Sequence, residues 1–140
     1  TFDMEYFVEE DTTNLYIPKL TLQPLVENAI IHGIHPCKYR GLIQISSSII
    51  NGSLSITVYD NGIGIDPEIF RLILLNQYQQ SLEKSSMNHI GLYNVNRRIA
   101  LNFGEPYGIS LEDTHLKGVC IRVLLPKLEA RTKTQLTEGT

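Results

Sequence analysis

Residues 54–65 read Leu-Ser-Ile-Thr-Val-Tyr-Asp-Asn-Gly-Ile-Gly-Ile, and the change of pattern inside them decides the fold. Leu54, Ile56 and Val58 alternate with polar neighbours, the period-two pattern of a half-buried strand. At Asp60 the alternation stops and Asn61-Gly62-Ile63-Gly64 supplies turn residues. Ile43, Ile45 and Ile49 form an earlier alternating run, joined to this one by Asn51-Gly52. Asn-Gly is a strong hairpin signal, because a type I′ turn needs positive φ at both central residues. A carboxylate therefore closes the second strand of a hairpin and opens a glycine-rich loop.

Upstream, Thr21 can cap a helix whose apolar stripe is Leu22, Leu25, Val26, Ala29 and Ile30, with Pro24 tolerated in its first turn and Gly33 near its end. Asn28 and His32 are four apart and so share one side of that helix, with Glu27 beside them. Taken singly, Asn28, His32 and Asp60 read equally well as the wet face of a helix and an ordinary turn. Their order and spacing, taken together, favour one site.

The remaining elements follow from the same patterns. Residues 2–9 alternate as an edge-like strand, with Phe2, Met4, Tyr6 and Val8 on one face. Asp66-Pro67 starts a helix running to about Asn76, and residues 77–90 have no clear period and read as a mobile loop. From Gly91, Leu92, Val95, Ile99 and Phe103 recur at helical spacing up to Gly104, a C-terminal signal. Ile109 to Glu112 and Val119 to Leu125 form a last hairpin around Gly118. The expected organisation is one domain over 1–126 and a polar, Thr-rich tail over 127–140.

With 140 residues and 42% apolar content, the chain suits one compact domain with a proper core. A net charge of −3 without a Lys/Arg run argues against a nucleic-acid or anionic membrane partner, so any polyanion must be held locally by backbone N–H groups and a metal ion. Cys37 and Cys120 form no metal-ligand spacing and no disulfide framework, which fits a reducing cytoplasm. No apolar run approaches the roughly 18 residues of a membrane span. The start at Thr1, within a strand pattern, reads as a fragment of something longer.

Residues 22–33 (LQPLVENAIIHG), 60–65 (DNGIGI) and 90–98 (IGLYNVNRR) resemble the N, G1 and G2 boxes of bacterial sensor histidine kinases of the LytS/YesM type. The element order resembles the Bergerat ATP-binding fold that these share with gyrase-type topoisomerases and heat-shock chaperones. The resemblance implies an α+β sandwich: a mixed, mostly antiparallel sheet with helices on one face. It also implies ATP and Mg²⁺ as ligands.

On that basis Asp60 accepts a hydrogen bond from the adenine amine, where guanine would oppose two acceptors, a difference of about 1–3 kcal/mol. Gly62 and Gly64 let backbone approach the base, and Ile63 or Ile65 lines its slot. Asn28 offers an amide oxygen to Mg²⁺, which takes its other ligands from phosphates and water. His32 is placed to touch phosphate or ribose. Gly91 and Leu92 open a helix whose N–H groups meet the phosphates, under a lid formed by 77–90. Glu27 is the candidate for assisting proton transfer.

Departures from the family pattern narrow the expectation. His89 stands where many kinases have the first G2 glycine, Val119 follows Gly118 where threonine is common, and Pro24 occupies the position of the water-activating glutamate of gyrase-like ATPases. The chain looks built to hold ATP rather than to hydrolyse it alone. None of the four histidines has the His-Phe-Leu-Tyr-Asn context of a phosphoacceptor. The implied partners are an upstream histidine-bearing dimerisation domain and a response regulator. The alternative is a noncatalytic interaction module that keeps the fold and has lost useful ATP affinity.

Overall fold

The structure, a computed structural model, describes residues 2–12, 22–77, 90–114 and 117–128. Its five strands are β1 (Phe2–Val8), β2 (Gly41–Ile50), β3 (Ser53–Asp60), β4 (Gly108–Glu112) and β5 (Val119–Pro126). They form one sheet in the order β1-β2-β3-β5-β4. The hairpin register is Ile50 opposite Ser53, leaving Asn51 and Gly52 as a two-residue loop with φ of 51° and 80°, as a type I′ turn demands. β3 pairs antiparallel with β5, placing Asp60 opposite Val119.

Three α-helices, α1 (Leu22–Asn28), α2 (Pro67–Leu74) and α3 (Ile90–Phe103), bring their apolar residues to one face of the sheet. Leu25, Phe70, Leu92, Val95 and Ile99 are buried there together with Ile43, Leu54, Val58, Ile121 and Val123. Burying side chains of this size contributes roughly 1.5–3 kcal/mol each, which makes the sheet–helix contact the main source of stability. Asp66 caps α2 by accepting from Glu68 N at 2.8 Å, with Pro67 at the first helical position, where a missing N–H costs nothing. Gly104 ends α3 in the left-handed region at φ 72°.

Three features differ from the sequence reading. The helix expected through Gly33 is α-helical only to Asn28, and Ala29–Ile34 continue as a π-helix, in which His35 N donates to Ile30 O at 2.8 Å. The wider turn shifts every later side chain around the axis, and such segments recur at functional sites. β1 is at the sheet edge as expected, but it runs parallel to β2. Only its first half is covered: Phe2 and Met4 pack on the core, whereas Tyr6 is 63% exposed and Val8 is exposed with it. The helix from residue 66 stops at Leu74, and Asn76 takes φ 56°. Thr21, His89, most of the expected lid and the tail from 129 lie outside the described residues.

Candidate functional site

A cavity of about 280 Å³ opens between the π-helix, the end of β3, the start of α2 and α3. Its lining includes Asn28, His32, Asp60, Ile63, Gly64, Ile65 and Leu92, seven residues singled out from sequence and contributed by three separate stretches of chain. The volume lies just below the roughly 300–1,000 Å³ typical of small-ligand sites.

The end of β3 places the carboxylate. Asp60 is 2% exposed, and its Oδ1 accepts from Gly62 N at 2.8 Å. Burial pushes its pKa up to about 6, against the opposing pull of the Gly62 N–H. Asn61 then anchors the turn from behind. Its Oδ1 accepts from Leu42 N at 2.7 Å, its N–H donates to Leu42 O at 3.1 Å, and its carbonyl accepts from the Tyr39 hydroxyl at 2.6 Å. The Lys117 ammonium sits 4.5 Å from the centre of the Tyr39 ring, bracing that hydroxyl's ring from the outside. The loop is held on its other side by Ile63 N, which donates to Gly33 O at 3.1 Å.

Three residues expected at the site lie off the cavity lining. Glu27 is exposed and accepts from Gln23 Nε2 at 2.9 Å, off the cavity lining. Gly62 is buried behind the lining, where an added Cβ would fall 2.2 Å from the Gly33 carbonyl. Gly91 lies inside α3, because that helix starts at Ile90, and faces Pro24 of α1, with 3.2 Å between an added Cβ and the Pro24 Cβ. Its smallness serves helix approach. Sequence reasoning missed Gly33, Asp66, Ile69, Phe70, Val119 and Ile121 as lining residues. Ile121 was marked only as core, Val119 as core and as the residue standing where threonine is common, and Asp66 was visible only as a helix cap.

Among the described residues no cluster of three or more His, Cys, Asp or Glu side chains is placed to hold a metal ion. The donors that the cavity offers are one amide at Asn28, one imidazole at His32 and the carboxylates of Asp60 and Asp66. No described helix is long and apolar enough to cross a membrane.

The family described as histidine kinase-, DNA gyrase B-, and HSP90-like ATPase matches residues 17–129, which include every cavity residue. The chain belongs to that family. As a histidine kinase-type ATPase domain, it is 39% identical over 119 residues to sensor histidine kinase YesM of Bacillus subtilis, covering 85% of this chain and 18% of YesM. It is 42% identical over 100 residues to sensor histidine kinase YpdA of Escherichia coli, covering 71% of this chain and 16% of YpdA. The domain thus spans under a fifth of the length of these curated relatives.

Solved structures share its fold. The histidine kinase ThkA, in complex with the response regulator protein TrrA, superposes with a TM-score of 0.66 at 22% identity, over 90% of this chain and 34% of that one. The nucleotide-free catalytic domain of ThkA gives 0.65 at 14% identity, over 91% and 81%. The α+β sandwich implied by the sequence resemblance is the fold observed.

Proposed function

We propose that this domain binds ATP with Mg²⁺ and presents the γ-phosphoryl group to a histidine on an upstream dimerisation domain, as the catalytic part of a sensor histidine kinase. The observation that carries the reading is that the Asp60 carboxylate and the Asn28 amide, 32 positions apart in the chain, line one cavity. Asp60 would receive the adenine amine, with Gly64 and Ile65 against the base and Leu92 closing the apolar side. Asn28 would supply one oxygen to the metal ion, whose remaining ligands come from phosphates and water, in keeping with the sparse donor set of the cavity. His32, in the π-helix on the same side as Asn28, would meet phosphate or ribose.

When bound, the metal ion neutralises phosphate charge; the chain's own contribution is positioning the nucleotide and excluding water. A histidine from outside these residues is the nucleophile, so this stretch binds nucleotide without completing the transfer. The phosphoryl group then passes to a response regulator, and the domain works on the cytoplasmic side of its parent sensor.

Isothermal titration with Mg·ATP and Mg·ADP tests the reading. Binding heat that disappears in Asp60→Ala, with Mg·GTP weaker by tenfold or more, is the expected result. Unchanged binding in that variant overturns it. The competing reading, an interaction module of the same fold without useful nucleotide affinity, is favoured by the packing of Gly91 against Pro24. It requires no binding heat from the unsubstituted chain at millimolar nucleotide.

A further inference from the structure

We propose that Gly33 is a positioning residue for Asp60: its missing side chain leaves the space in which the carboxylate sits, so that Oδ1 can accept from Gly62 N. A Cβ built on Gly33 falls 2.4 Å from Asp60 Oδ1, 2.7 Å from its Cγ and 3.0 Å from Oδ2. All three atoms belong to the movable end of one side chain. The backbone of Gly33 is outside the left-handed region, so alanine is conformationally permitted there and favoured by helix propensity. The collision is therefore relieved by moving the carboxylate away from the Gly62 N–H.

The π-helix is what brings Gly33 to this place. Gly33 O accepts from Ile63 N at 3.1 Å, and the Gly33 carbonyl lies against Gly62, where no side chain fits. The segment bearing His32 and the loop following Asp60 are thereby locked together at one residue. Gly33 itself lines the cavity.

Two other glycines close to Asp60 differ in kind. An added Cβ at Gly62 meets Gly33 backbone at 2.2 Å, and one at Gly118 meets the Asp60 carbonyl oxygen at 1.8 Å. Backbone cannot yield as a carboxylate can, so those positions guard the fold while Gly33 guards the orientation of one side chain.

The test follows the Gly62 amide proton by NMR across pH 4–8 in the unliganded chain, with and without Gly33→Ala. In the unsubstituted chain this proton should titrate with Asp60, near pH 6. Tyr59 and Cys120 also feel Asp60 but are raised by burial beyond this pH range, and His32 and Asp66 on the cavity wall are common to both chains. Loss of that titration in Gly33→Ala is the expected result; the same midpoint and amplitude would overturn the proposal. If Gly33→Ala does not fold, Gly33→Ala/Asp60→Ala should fold, and its failure to do so also overturns the proposal.

A nucleotide arm rests on the reading of Asp60 as the adenine acceptor. Mg·ADP affinity should fall more than tenfold from the unsubstituted chain to Gly33→Ala, and stay within twofold between Asp60→Ala and Gly33→Ala/Asp60→Ala. Should Asp60→Ala leave affinity unchanged, the nucleotide reading fails while the amide titration still decides the role of Gly33.

Discussion

On one wall of the cavity Asp60 is held almost wholly by backbone: the Gly62 amide in front, the Gly33 carbonyl locked to Ile63, and the Asp60 carbonyl pressed against Gly118. On the other wall Asn28 and His32 are half-buried side chains on a helical surface. Close-packed backbone has no rotamer by which to relax, whereas a half-buried helix side chain can adjust when a neighbour changes. Damage to backbone packing on the first wall should reach the fold; damage to the second should fall mainly on ligand binding.

The sharpest way to break this contrast is Gly118→Ala, which combines φ of 114° with a Cβ 1.8 Å from the Asp60 carbonyl oxygen. It should cost about 3 kcal/mol of stability, read as a lower denaturant midpoint at unchanged slope. A near-neutral result would show that this wall yields after all.

Asp60→Asn keeps an acceptor for Gly62 N and removes the buried charge, so it separates stability from binding. Because burial raises the folded-state pKa from 3.8 to about 6, ionised Asp60 works against folding above pH 6, and that penalty vanishes below the unfolded value. The chain should therefore gain about 2 kcal/mol from this group as pH falls from 8 to 4, a gain absent in Asp60→Asn. At pH 8 the variant should be the more stable protein and yet bind Mg·ATP tenfold or more weakly. Unfolding curves at the two pH values, paired with calorimetry, check both halves.

On the other wall, Asn28→Ala should cost less stability than Gly118→Ala and abolish the advantage that Mg²⁺ gives to ATP binding. Nucleotide titrations with the metal and with a chelator read this directly. The smallest effect is assigned to Glu27→Gln: this exposed carboxylate turns toward Gln23, so affinity and stability should both be unchanged. A large loss there would restore Glu27 to the site.

Legibility followed the range of the interactions concerned. The hairpin through Asn51-Gly52, the cap at Asp66-Pro67, the stripe Leu92-Val95-Ile99 and the strand ending in Asp60 could all be read from sequence, since each depends on propensity and period over a few residues. Gly91 carries two readings in sequence, since a glycine at a helix start serves anion approach or helix contact, and only the tertiary structure sets Pro24 across from it. Gly33 looked like a stop signal, and a π-helix leaves no period to detect in six residues.

By itself, then, the sequence determined which residues form strands and helices and which carried plausible ligand chemistry, because hydrophobic period, turn geometry and residue type are local properties. Only the tertiary structure decided that β1 runs parallel at the sheet edge and that Asn28 and Asp60 share a cavity with Val119 and Ile121. It alone showed that Gly33, Gly62 and Gly118 surround one carboxylate. Those facts depend on where distant backbones meet and on how little space remains between them, which no window of sequence contains.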